Sequence, residues 1–113
     1  MVSNETTGTV DEEFIRRVVA RILSVASPAK IILFGSAAAG QMTADSDVDL
    51  LIVEEGPIDR RAEYVRIRQA LRGMGRPFDI LFITTDWFEA SKNVIGGIAY
   101  PAHHHGKVIY DAA

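Results

Sequence analysis

The chain has no cysteine among its 113 residues. Disulfides and thiolate metal sites are thereby excluded, and cysteine usage says nothing about redox compartment. Long apolar runs are missing too. No stretch approaches the about 18 apolar residues of a membrane-spanning helix, and the opening MVSNETTGTV is polar with no apolar signal core. No membrane partner is expected, and a cytoplasmic location is the default. An excess of positive charge is also lacking: 12 Lys and Arg stand against 15 Asp and Glu, for a net charge of −3. That balance disfavours neutralising a phosphate backbone wholesale, so direct nucleic-acid binding is not expected and any contact with a nucleotide must be local.

What the chain does have is apolar content, 48% of its residues. At this length that supports one core and not two. Residues 1–10 read as a flexible tail and residues 11–113 as a single domain. Phe14, Ile15, Val18, Val19, Ile22, Leu23 and Ala26 recur at three-and-four spacing, which predicts an amphipathic helix. Thr9 followed by Glu12 has the form of a capping box at its start, and Ser27-Pro28 stops it. KIILF predicts a first strand, VDLLIV a second, and PFDILFIT a third. Residues 58 to about 73 are helix formers rich in arginine. Thr85 or Asp86 is the expected cap of a helix through WFEASKNV, and Pro101 and Gly106 bracket a short helical turn before a last strand.

The connection between the first two strands is only about a dozen residues, which favours an antiparallel return, whereas the second crossover holds a full helix and favours a parallel pair. The expected fold is therefore α/β (α+β), a small mixed sheet with helices packed on it. In that arrangement Gly35-Ser36, Asp47-x-Asp49 and Asp79 meet on one rim. Alternation along a strand puts Asp47 and Asp49 on one face, and Asp79 joins them if the register allows. Carboxylates gathered at the edge of a core repel each other and resist desolvation, so they call for a cation, donors or open water. Oxygen-only ligands beside a phosphate suit Mg²⁺ or Mn²⁺. Gly35 lets backbone approach a ligand, and N–H groups of the following turn, with the Ser36 hydroxyl, face an anion.

Gly35-Ser36, the ten residues AAAGQMTADS, and Asp47-Val48-Asp49 together resemble the signature of the minimal nucleotidyltransferases (MNT) of the DNA polymerase beta superfamily. The preceding helix, the lead-in IILF and the later FDILFI with Asp79 fall in the same order, so the resemblance spans nearly the whole chain. It implies a polymerase beta-like nucleotidyltransferase fold and transfer of a nucleoside monophosphate, AMP from ATP, to an acceptor hydroxyl. By position it makes Asp47, Asp49 and Asp79 the metal ligands and catalytic carboxylates, with Asp79 orienting or deprotonating the acceptor. Gly35, Ser36 and Ser46 become the nucleotide-binding residues. Small members of the family resemble the antitoxin half of two-gene systems, whose partner is a HEPN-type toxin modified on a tyrosine.

One departure stands out. Where family members often carry arginines, this chain has Ala37 and Ala39. A catalytically weak or inactive relative that neutralises a partner protein by binding alone is the alternative this raises. Other features have plainer readings. Six arginines between positions 60 and 76 form half of the 12 basic residues and read as a solvated helix face paired locally with Glu63. His103, His104 and His105 are consecutive, point in three directions on a helix and cannot share one ion. Trp87 reads as a packing residue.

Overall fold

The computed structural model describes residues 12–35 and 47–112. Helix α1 (Glu12–Leu23) carries Glu12 and Glu13 in its first turn, where carboxylates oppose the positive end of the helix dipole, and it buries Val18 and Ile22, one turn apart. Thr9, the expected cap, lies outside the described residues. Strand β1 (Lys30–Phe34) leads to Gly35, and β2 (Val48–Glu54) follows. Helix α2 (Arg60–Ala70) is capped by Asp59, whose carboxylate accepts from the Ala62 N–H at 3.1 Å. At its other end the Arg21 guanidinium of α1 donates to the carbonyls of Ala70 at 3.2 Å and Arg72 at 2.9 Å, placing a cation on the negative pole of α2.

Strand β3 (Phe78–Thr84) runs directly into helix α3 (Thr85–Ser91). The cap is Thr84, one residue before the expected Thr85 or Asp86. Thr84 is still extended, at φ −77° and ψ 159°, which turns its hydroxyl toward the Trp87 N–H at 3.2 Å. Helix α4 (Tyr100–His105) begins with Pro101 in its first turn and ends at Gly106, as its composition requires, and β4 (Lys107–Asp111) completes the chain.

The strands form one mixed sheet in the order β3-β2-β1-β4. β1 is antiparallel to β2 and β4, and β2 is parallel to β3, matching both expected directions. Alternation sorts the side chains into two layers. Leu33, Leu50, Ile52 and Ile80 face α1 and α2, where Val18, Ile22 and Ile67 meet them. Ile32, Leu51, Val53 and Ile83 face the other way, against Phe88, Ala99 and Ala102 of the α3–α4 layer. β2 is therefore apolar on both faces and reads as a continuous run rather than an alternation. Each fully buried Ile or Leu contributes about 1.5–3 kcal/mol of transfer free energy, and Ile22, Leu50, Leu51, Ile52 and Ile67 are all completely enclosed.

Candidate functional site

The acidic rim begins where β1 ends. Phe34 is register-paired with Asp49 of β2, and Asp49 is in turn register-paired with Asp79 of β3. Both carboxylates stand on the α3–α4 face of the sheet but lie at the end of it that those helices leave uncovered. The buried Val48 side chain anchors the opposite face, and the Val48 N–H donates to the Pro77 carbonyl at 2.8 Å. That bond ties the start of β2 to the start of β3. Asp49 and Asp79 are level because of it. Asp47 precedes the strand and is exposed, as is Asp79, while Asp49 is partly enclosed.

Electrostatically the three behave as neighbours. Asp49 holds its proton more tightly than an ordinary aspartate, first because burial strips its solvent and then because Asp79 and Asp47 repel its charge. Among the described residues, no ion pair involves any of the three. Nor, among those residues, does any group of three or more His, Cys, Asp or Glu side chains form a ready metal cage. Among the described residues the site is a concentration of negative charge.

Gly35 sits against this cluster. Its φ is +71°, and a Cβ built there would lie 2.2 Å from Asp49 Oδ2 and 3.2 Å from its carboxyl carbon. Only a residue without a side chain lets the strand turn here while Asp49 keeps its place. The structure thus brings Gly35, Asp47, Asp49 and Asp79 to one rim. Ser36 and Ser46, together with Ala37, Ala39 and Asp45, lie outside the described residues.

His103, His104 and His105 are exposed at the end of α4, and His104 Nε2 pairs with Asn93 Oδ1 at 2.8 Å. Arg66 pairs with Glu63, as the charge pattern suggested. Trp87 is not a packing residue: it is 46% exposed, with the Arg60 guanidinium 5.4 Å from its ring centroid. The sequence reading also missed Glu54. This residue ends β2 only 8% exposed, beside Glu63 and Arg66, and is pushed up to about 7 by burial and then by the Glu63 charge and hydrogen bond, against the pull of Arg66. A carboxylate closing an otherwise apolar buried strand was the available signal.

No helix among the described residues is long and apolar enough to cross a membrane. No curated protein sequence matches the chain. Solved structures that share its fold include two toxin-antitoxin complexes. One, described as a toxin-antitoxin crystal structure with AMP-PNP, superposes with a TM-score of 0.66 at 15% identity over 86% of this chain and 73% of that one. The other is a tri-AMPylated HEPN toxin from Shewanella oneidensis in complex with its MNT antitoxin, with a TM-score of 0.57 at 13% identity over 88% of this chain and 71% of that one. The nucleotidyltransferase domain profile matches residues 13–99, a span that contains every carboxylate of the rim and all of the sheet except β4. With that span matched and the fold shared, the chain belongs to the nucleotidyltransferase domain family.

Proposed function

We infer that the chain transfers a nucleoside monophosphate, AMP from ATP, to a protein hydroxyl, the acceptor being a tyrosine of a HEPN-type toxin that the modification silences. The observation that carries the reading is the register pairing of Asp49 with Asp79, with Asp47 close enough to raise the Asp49 pKa. Partners in the two structural neighbours, a nucleotide analogue in one and an AMP-bearing HEPN toxin in the other, support the donor and the acceptor.

In this reaction the acceptor oxygen forms a bond to the α-phosphorus as the bond from that phosphorus to the bridging oxygen of the β-phosphate breaks, and pyrophosphate leaves. The acceptor proton passes to a carboxylate. Asp79 suits that role because it is exposed at the rim, open to an incoming hydroxyl. Asp47 and Asp49 supply hard oxygen donors with no cation beside them among the described residues, which fits Mg²⁺ or Mn²⁺. Mg²⁺ commonly binds through one or two carboxylates and completes its shell with substrate phosphates and water, so the lack of a ready three-residue cage is compatible with this assignment. When bound, the ion would offset phosphate charge as the transition state forms. Gly35 supplies close backbone approach beside Asp49, and Ser36 and Ser46 flank the site in sequence as further nucleotide contacts.

A second reading rests on Ala37 and Ala39, which leave the turn without the cations that its relatives often carry. In it, the chain neutralises its partner by contact alone. Incubation with Mg²⁺, ATP labelled at the α-phosphate and the HEPN-type partner separates the two. Label on the partner that disappears in Asp47→Asn supports transfer. Neutralisation that persists in both Asp47→Asn and Asp49→Asn without any label supports the binder.

A further inference from the structure

Among the described residues β3 is an edge strand, paired in the sheet with β2 alone. Backbone groups of successive strand residues point alternately to either side. Because the Pro77 carbonyl accepts from Val48 of β2, residues 79, 81 and 83 also turn toward β2, and Phe78, Ile80 and Phe82 turn outward. The Phe78 carbonyl is taken by the Arg68 guanidinium at 3.1 Å. On that side, among the described residues, the N–H and C=O groups of Ile80 and Phe82 face no strand.

A cleft of about 400 Å³ follows this stretch of edge. One wall is Arg61 and Tyr64 of α2, the other Trp87 of α3 with Ile98, and Leu81 lies in the floor. Tyr64, Trp87 and Ile98 are 42%, 46% and 39% exposed, an apolar surface beside the edge, whose own Ile80 and Phe82 are largely buried. Arg60 reaches across from α2, its guanidinium 5.4 Å from the Trp87 ring centroid. Toward the start of β3 the lining stops at Ile80, one residue after Asp79, and alternation along β3 puts Asp79 on the same face as Leu81. From Asp79 to Phe82 the edge offers four residues, roughly 13 Å of extended chain.

Resting on the transfer reaction above, we propose that this edge is where the acceptor protein docks: a short extended acidic segment adds a strand to β3 and brings its hydroxyl residue to Asp79. Main-chain bonds to Ile80 and Phe82 supply affinity that is indifferent to sequence, and the walls supply selectivity. Side chains of the segment turned toward α2 meet Arg61, with Arg60 spanning from α2 to Trp87 beside it, and are carboxylates. Those turned toward α3 meet Trp87 and Ile98 and are apolar. A second copy of this chain is the poorer occupant, since two-fold pairing through the same edge would set Arg60 and Arg61 of each copy against their equivalents.

The test uses the full chain, labelled with ¹⁵N, and synthetic heptapeptides centred on tyrosine with alternating Glu and Val. Its controls are a Lys-for-Glu twin and a version N-methylated at alternate amides. The expected result is saturable shifting of the Ile80 and Phe82 amides by the acidic peptide. Affinity should fall at least ten-fold on N-methylation, on the Lys swap, and in the Arg60→Glu, Arg61→Glu double variant. Three results overturn the proposal: no shift at those amides, binding indifferent to N-methylation, or shifts that grow with protein concentration alone, which would assign the edge to a second copy. Label transfer to the partner is scored separately. A silent cleft with intact transfer removes only the docking mode, whereas peptide binding without transfer removes only the reaction.

Discussion

Gly35 and Asp49 share one volume: a Cβ on the glycine would stand 2.2 Å from the aspartate Oδ2, in a residue whose φ is +71°. The turn after β1 and the carboxylate on β2 are therefore set by each other. Gly35→Ala faces both a left-handed backbone and a clash. The expected cost is about 1–3 kcal/mol in urea unfolding, with loss of label transfer of at least ten-fold because Asp49 must move. A variant with unchanged transfer would show that the position of Asp49 is not needed.

Asp49 also sets function against stability. Its folded pKa is raised by burial and by Asp79 and Asp47, so its contribution is complete below the unfolded value of 3.8 and is lost as pH rises through the folded value. At neutral pH the ionised group opposes folding. Asp49→Asn should therefore raise Tm by ~2–5 °C in the absence of nucleotide and metal while abolishing transfer. Calorimetry beside the label assay checks both, and a drop in Tm would contradict the repulsion.

A second pH dependence resides at the far end of β2. Glu54 is held at about 7 chiefly by burial, with Glu63 adding its charge and a hydrogen bond. The stability that protonated Glu54 provides is complete below its ordinary 4.5 and fades as pH climbs through about 7. Urea midpoints should fall between pH 5 and 8 by the equivalent of about 1–2 kcal/mol, less than the full linkage figure because Arg66 stands exposed beside the pair. Glu54→Gln should flatten that slope. A slope that survives the substitution assigns it to other groups.

The absent cations of the turn can be restored. Ala37→Arg with Ala39→Arg places two guanidiniums in sequence beside Gly35-Ser36, where charge-assisted bonds to a triphosphate are available. The expected outcome is a KM for ATP lowered by about ten-fold, two such bonds contributing together about 1.4 kcal/mol or more. Label transfer that stays at zero in the double variant would favour the reading of contact alone.

Local pattern carried much of this. Three-and-four spacing specified α1, although the helix ends at Leu23, short of the expected stop at Ser27-Pro28; apolar runs specified β1 and β2, and the short first connection with its longer successor determined strand direction, because these depend on neighbours in sequence and on chain length. The Asp47-x-Asp49 pair and its distance from Gly35-Ser36 were likewise readable, since both are properties of spacing along the chain. Thr84 as the α3 cap was not, because a strand running straight into a helix places the cap at its own last residue.

What the sequence alone determined is the set of reactive groups and the elements that bear them. Tertiary structure decided which of those groups meet: that Asp79 is level with Asp49, that Glu54 lies against Glu63, that β4 pairs with β1 and leaves β3 as the free edge, and that Trp87 stays half exposed under Arg60. Each is a contact between segments separated along the chain, settled by register and by how two layers of helices divide the faces of one sheet. A shift of one residue in the β2–β3 register would have turned Asp79 to the opposite face with no change in local pattern.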